Sequence, residues 1–220
     1  MQDIVIIGAG GFARETLDVF DAINDVKPTY NVLGYIVEKG FGSPGTLIND
    51  KPILGDFDWF TNYKSVLAVC GVGSPEIRRR LVNQVMESGI RFTNAIHPSV
   101  IKTKWMSIGE GSIVTAGCIL SNQIVIGNHV HINPGSVIGH DVIFEDFVSI
   151  APGVRISGNV TIKTGAYIGT GTSVIEKKTI GAWSIVGAGS TVIKDVEANT
   201  TVVGVPGRVI KKRDEGWYNS

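Results

Sequence analysis

An excess of charge of either sign is missing from this sequence: 20 lysines and arginines face 20 aspartates and glutamates, so nothing in it gathers a polyanion or an anionic membrane surface. Nucleic acid and membrane are therefore not expected as partners. Cysteine is scarce, and Cys70 and Cys118 lie far apart in different kinds of sequence, which excludes a disulfide scaffold and suits a reducing compartment. Both read as buried apolar residues. No apolar run is long enough to span a bilayer, and the chain enters an apolar strand pattern at residues 4–7 with no basic leader or cleavage site. The expectation is a soluble, cytoplasmic protein.

Glycine is plentiful, at 28 residues, and concentrates in the second half beside valine and isoleucine. Stepping by six from Ile108 gives Val114, Leu120, Ile126, Ile132, Ile138, Phe144, Ile150, Ile156, Ile162, Ile168, Val174, Ile180, Val186 and Val192. Ordinary composition would produce such a column about once in ten million trials, so the repeat fixes the architecture. No helix has a period of six. A strand has period two, so a six-residue unit is a short strand plus a corner, and three units return the chain to its start one layer higher. The predicted object is a triangular prism of about five coils with one apolar residue per side directed to its axis. Glycines directly after the inward residue, at Gly109, Gly127, Gly139, Gly169, Gly181 and Gly187, read as the tight corners. Four positions after it come small or β-branched residues such as Ser112, Cys118, Val130, Val142 and Ala166, suited to stacking in ladders.

The first half reads differently. A strand at residues 3–7 runs into Gly8-Ala-Gly-Gly11 and an amphipathic helix over 14–23; a second strand spans 32–37 and ends at Glu38; a third, 66–70, leads through Gly71-Val-Gly-Ser74 to a helix over 76–87. Alternation of this kind predicts a small parallel, Rossmann-like sheet with ligands at the carboxyl ends of its strands. The Gly8, Gly10, Ala13 and Glu38 pattern fits a nicotinamide fingerprint, but about ninety residues hold little more than one of the two βαβ halves that a dinucleotide fold needs. A diphosphate carried by another nucleotide needs the same device, backbone N–H groups of Gly8, Gly10 and Gly11 at a helix N-terminus. The alternative for these residues is a purely structural turn.

The segments IVIIGAGGFARE, NAIHPSV and HINPGSVIGHDV together resemble the NeuD/PglD-type bacterial sugar acetyltransferases, of the hexapeptide-repeat superfamily, over nearly the whole chain. That resemblance implies a left-handed parallel β-helix over 96–220, with a C-terminal tail, following a Rossmann-like nucleotide-sugar-binding domain over 1–95. It also implies a homotrimer with acetyl-CoA between neighbouring prisms and no metal. The activity implied is N-acetylation of the amino group, the 4-amino group by preference, of a nucleotide-linked deoxysugar by direct attack on the thioester. His140 matches the general base and Asp141 the acidic residue that orients it. Asn133 matches a motif asparagine that contacts sugar or base, although its side chain could equally cap a corner. Since 158 minus 140 is 18, one coil, Gly158 stacks over His140 and matches the glycine whose N–H meets the thioester carbonyl. Thr170 and Ala188, again 18 apart, are placed along the pantetheine arm. Residues 203–209, Val-Gly-Val-Pro-Gly-Arg-Val, resemble the Gly-x-Pro-Ala-Lys closing segment, with Gly207 and Arg208 in its last two places; the tail after them reads as a short helix or frayed end. Two positions depart from some N-acetylating relatives, where histidines stand in place of Phe12 and Ser149.

Of the other histidines, His97 precedes Pro98 and reads as a structural turn, and His129 and His131 flank Val130 and are expected at exposed or interfacial positions. Three further readings stay open. The same fold could acetylate a sugar hydroxyl, as in sialic-acid O-acetylation; it could be a metal-dependent hydratase, although His129, His131 and His140 lack the spacing for zinc; or it could be a non-catalytic nucleotide-binding scaffold.

Overall fold

The computed structural model describes residues 1–219 and divides into two compact units, Met1–Pro98 and Ser99–Ser220. In the first, strand β1 (Gln2–Ile7), central in its sheet between two parallel neighbours, buries Ile4, Val5, Ile6 and Ile7 completely, as a strand covered on both faces does. Helix α1 (Gly11–Val26) follows the glycine turn with Gly10 in extended conformation as its N-cap, and buries Ala13, Thr16, Leu17 and Phe20 at helical spacing. Strand β2 is Tyr30–Ile36, β3 Leu47–Ile48, β4 Lys51–Gly55 and β5 Leu67–Cys70. Helix α2 (Pro75–Glu87) opens as its sequence predicts, with the Ser74 hydroxyl accepting from the Ile77 N–H at 3.4 Å and proline in the first turn. Strand β6 is Arg91–Phe92.

The sheet order is β3-β4-β2-β1-β5-β6. It is larger than the three strands read from the sequence and it is mixed: β3 and β4 pair antiparallel, while the other pairs are parallel. The three additional strands have two to five residues, too short for a period-two pattern to announce them.

The second unit is the predicted prism. One wall stacks Ile119–Leu120, Val137–Ile138, Arg155–Ile156, Ser173–Val174 and Thr191–Val192; the next stacks Met106–Ile108, Ile124–Ile126, Ile143–Phe144, Thr161–Ile162 and Thr179–Ile180. The third includes Ile113–Val114, His131–Ile132, Ser149–Ile150, Tyr167–Ile168 and Ile185–Val186. Within these walls paired residues are 18 apart, as in Ile138↔Ile156 and Phe144↔Ile162. The inward column from Val114 to Val192 is buried, and Ile108 at its open end is half-buried. Each such side chain contributes about 1.5–3 kcal/mol on leaving water, so the column is the core. Of the positions four further on, Ser112, Cys118, Val130 and Ala166 are also 0% exposed, which gives most six-residue units two inward residues; Lys178 is an exception and is only half-buried.

The glycines do not act as the sequence reading assigned them. Gly109, Gly127, Gly139, Gly169 and Gly181 have ordinary φ and are required by crowding: a Cβ at Gly139 would lie 2.7 Å from Gly158 N, and one at Gly127 2.9 Å from Asp146 N. The left-handed corner residue lies two positions later. It is glycine at 111, 117, 135, 153, 165, 171 and 189, and Gln123, His129, Asp141, Phe147, Asn159, Lys177 and Trp183 elsewhere.

The repeat does not stop at Val192. It drops two residues, and Val196 and Val202 continue it by pairing with Ile180 and Val186, each 16 back. The segment Arg208–Lys212 then turns antiparallel onto Thr200–Val203 and closes the end. The tail holds a short helix only at its end, a 3-10 turn over Trp217–Asn219, and is not frayed: Lys211 and Lys212 belong to the closing strand, Tyr218 stacks on Trp183 at 4.0 Å and 15°, and the Arg213 guanidinium lies 4.5 Å over the Trp217 ring. Both cysteines are buried and free, and burial pushes the Cys70 thiol up to about 12. No helix of the described residues is long and apolar enough to cross a membrane.

Candidate active site

The corner after Ile138 carries the only exposed histidine of the repeat among the described residues. Tight coil stacking forms it: Gly139 N–H donates to Ile156 O at 2.7 Å, Asp141 N–H to Asn122 O at 2.9 Å, and Asn159 N–H to His140 O at 2.9 Å. Asp141 takes the left-handed corner conformation, φ 57°, which aims its carboxylate back along the chain. Its Oδ2 lies 2.7 Å from His140 Nδ1, with side-chain exposures of 60% for the histidine and 43% for the aspartate. A carboxylate at Nδ1 selects the tautomer in which Nε2 bears the lone pair, the arrangement of an oriented base.

The imidazole lies over Gly158. A Cβ at that position would come within 2.6 Å of both Cε1 and Nε2, so only glycine leaves the ring where it is. At a corresponding corner elsewhere, Asp146 one coil on caps the Asn128 N–H at 2.7 Å. Gly158 offers no such cap to the His140 corner. The spacing of 18 thus brings base, carboxylate and bare glycine to one edge of the prism.

The remaining assigned residues stand elsewhere. Thr170 and Ala188 are exposed neighbours on a different edge, where Gly189 N–H donates to Thr170 O at 2.8 Å. Asn133 follows the third wall, and its Nδ2 donates to Ile150 O at 2.7 Å, so the corner-capping alternative describes it. His129 and His131 are not exposed: they are 2% and 0% accessible within the chain itself, with His129 stacked on Phe147 at 5.2 Å and 12°. Their neighbourhood of outward but covered positions gives no sign of itself in a six-residue period. Ser149 is likewise buried, in register between His131 and Tyr167. No group of three or more His, Cys, Asp or Glu side chains placed to hold a metal occurs among the described residues.

In the first unit the two glycine turns wall a cavity of about 570 Å³ at the carboxyl ends of β1, β2 and β5. Gly8, Gly10, Gly11 and Phe12 line one side, Gly71, Val72 and Gly73 another, and Phe41 and Ile77 supply apolar surface. The turns interlock, since a Cβ at Gly71 would lie 2.6 Å from Ala13 Cα and one at Gly8 2.8 Å from Val72 Cγ2. Glu38 and Arg80, also in the lining, form a two-pronged ion pair at 2.5 and 3.1 Å. The sequence flagged Glu38 but not Arg80, whose place on an outer helix face reads as solvated.

Residues 3–85 match the family model of the PglD N-terminal domain. Along with this PglD-type domain, the whole chain carries the resemblance expected from its motifs. It is 34% identical over 127 residues to the UDP-N-acetylbacillosamine N-acetyltransferase of Bacillus subtilis (strain 168), a match covering 53% of this chain and 52% of that protein. The matched part therefore spans about half the length of that curated relative. A histidine-to-asparagine variant of perosamine N-acetyltransferase from Caulobacter crescentus, solved in complex with CoA and GDP-perosamine, superposes with a TM-score of 0.88 at 27% identity, over 96% of this chain and 98% of that one. The acetyltransferase domain of PglB from Neisseria gonorrhoeae FA1090, in complex with acetyl coenzyme A, gives 0.86 at 26% identity over 95% and 99%. The fold class is thus the expected one, a Rossmann-like α/β domain and a left-handed parallel β-helix.

Proposed function

We propose that this protein is an acetyl-CoA-dependent N-acetyltransferase acting on the amino group, the 4-amino group by preference, of a nucleotide-linked amino-deoxysugar. The observation that carries the reading is His140, held by Asp141 at 2.7 Å and laid over Gly158. His140 Nε2 accepts a proton from the amine as its nitrogen attacks the thioester carbonyl. The oxyanion that forms is met by the Gly158 N–H, and its collapse expels the CoA thiolate, which takes the proton back from the imidazolium. Asp141 carries opposite charge to that imidazolium throughout the step. No covalent enzyme intermediate is needed, and both cysteines are buried with thiols raised by burial. The N-terminal cavity is the place for the nucleotide, its diphosphate on the N–H groups of Gly10 and Gly11; Gly8, expected to donate with them, already gives its N–H to Ile36 O at 2.8 Å and contributes the shape of the turn instead. The two named structural relatives, one with CoA and GDP-perosamine and one with acetyl coenzyme A, support donor and acceptor class alike.

A homotrimer belongs to the same reading. Thr170 and Ala188 occupy a different prism edge from His140, so one CoA molecule touching all three needs edges from neighbouring copies. The walls flanking the His140 corner present Val137 and Ile119 on one side and Ile143 and Val125 on the other, each 40–44% exposed, a surface suited to a second copy. A cytoplasmic location fits a CoA donor and two free thiols.

The test is an acceptor screen that follows free thiol released from acetyl-CoA, with UDP-, dTDP- and GDP-linked amino sugars beside hydroxyl acceptors. Release with an amino sugar, lost in His140→Ala, is the expected result. Release with hydroxyl sugars alone would move the reading to O-acetylation; nucleotide binding with no turnover would leave a scaffold.

A further inference from the structure

One charged side chain beneath the N-terminal cavity takes no part in the chemistry above. Arg78, in the first turn and a half of α2, is 0% exposed, and its Nη1 donates to Val72 O at 2.9 Å and to Gly73 O at 3.1 Å. The arginine itself does not line the cavity; the turn it grips, residues 71–73, does. A peptide plane directs its C=O and N–H in opposite senses. Drawing the carbonyls of Val72 and Gly73 toward Arg78 therefore turns the N–H groups of Gly73 and Ser74 away from it, at the electropositive start of α2. Released, those carbonyls would be free to face an anion and repel it.

We infer that Arg78 is a positioning residue for the nucleotide-sugar, holding the second glycine turn so that it presents donors and withholds acceptors from the diphosphate. The inference rests on the function proposed above. The interlock of Gly8 with Val72 and of Gly71 with Ala13 carries any tilt of this turn into the first one. Burial lowers the Arg78 guanidinium to about 10, which leaves it charged at neutral pH, a fixed cation under an anion site. Two charge-assisted bonds from one planar group are also what lysine reproduces poorly.

The experiment titrates the full-length protein with UDP, dTDP, GDP and, separately, CoA by calorimetry. Wild type is expected to bind at least one of the three diphosphates. Arg78→Met should weaken that affinity about tenfold or more and leave the CoA affinity within about twofold, and Arg78→Lys should weaken it about threefold. In turnover, KM for the nucleotide-sugar should rise in Arg78→Lys with kcat and the KM for acetyl-CoA unchanged, a split that a general loss of folded protein would not produce. If Arg78→Met does not fold by circular dichroism, Arg78→Lys decides. Wild-type diphosphate affinity in a folded variant overturns the role and leaves the functional reading standing. A wild type that binds CoA and none of the three diphosphates overturns both.

Discussion

Two histidines of the prism lie across a glycine one coil away, and they have opposite fates. His129 covers Gly111, 18 residues before it; His140 covers Gly158, 18 residues after it. His129 is 2% exposed, occupies the left-handed corner itself and stacks on Phe147, so its ring completes a packed layer. His140 stands one residue ahead of the corner, which hands that conformation to Asp141 and leaves the imidazole 60% exposed with a carboxylate on Nδ1. Stacking on glycine is therefore common to packing and to chemistry. A shift of one position relative to the corner, with an acid following, separates a buried, stacked ring from an exposed one that is bound to a carboxylate.

The sharpest way to break this contrast is to truncate both rings. His140→Ala should lower kcat by about 10² to 10⁴ in thiol-release assays, with thermal stability near wild type. His129→Ala should retain kcat within about threefold and lose about 3–8 °C in Tm, since it opens a hole in a buried stack. Comparable kcat losses in the two variants would abolish the distinction.

Adding a methyl to each glycine asks the same question from below. The three atoms nearest a Cβ at Gly158, whose φ is ordinary, all belong to the ring of an exposed side chain, which can swing aside. Gly158→Ala should fold normally and lose about a hundredfold in kcat, because the base moves and the peptide N–H is shadowed. Gly111 has φ 68° and is covered by the buried His129 ring, so Gly111→Ala is strained and crowded at once. It should show up as lower Tm or insoluble protein, with the specific activity of any folded fraction preserved.

How much of this was legible beforehand follows from what a period can encode. The inward column and the one-coil registration of His140 with Gly158 are consequences of counting by six and eighteen, whereas the pairing of His140 with Asp141 was implied by the family resemblance. The role of the glycines was misplaced because two different needs, a left-handed corner and close approach of the next coil, both select glycine, at positions two apart. The burial of His129 and His131 was hidden because a repeat specifies which way a side chain points, not what covers the outer walls. In the first unit, β3, β4 and β6 and the grip of Arg78 on residues 71–73 depend on tertiary packing that no local pattern carries. Arg78 gave one faint signal, an arginine soon after a serine-proline helix start, where a side chain can reach back over the cap.

Asp141 tests the acid half of the contrast. Asp141→Asn keeps the shape of the corner and an acceptor for Nδ1–H but removes the charge that faces the imidazolium. A loss in kcat of about ten- to fiftyfold is expected, smaller than for a buried triad because the pair is open to water. An unchanged KM for acetyl-CoA would locate the effect in the proton transfer. If Asp141→Asn turns over at the wild-type rate, the carboxylate is an ornament of the corner and His140 works unaided.

The smallest effect is expected where an eighteen-residue pairing is closed on itself. Glu145 receives Lys163 Nζ at 2.7 Å and both the N–H and hydroxyl of Thr164 at 2.9 Å, one coil on. Partial burial alone would raise its carboxyl, but the bonds from Lys163 and Thr164 and the lysine charge outweigh that and hold it below the usual 4.5. A carboxylate depressed by folding contributes stability above its ordinary range and loses it as pH falls through the depressed value. Glu145→Gln should therefore cost about 1–3 °C in Tm at pH 7, a difference that shrinks as pH falls through the depressed value, with kcat unchanged. Unlike the His140 carboxylate pair, this ladder has both oxygens of its acid tied to the neighbouring coil, so its expected effect is on stability alone.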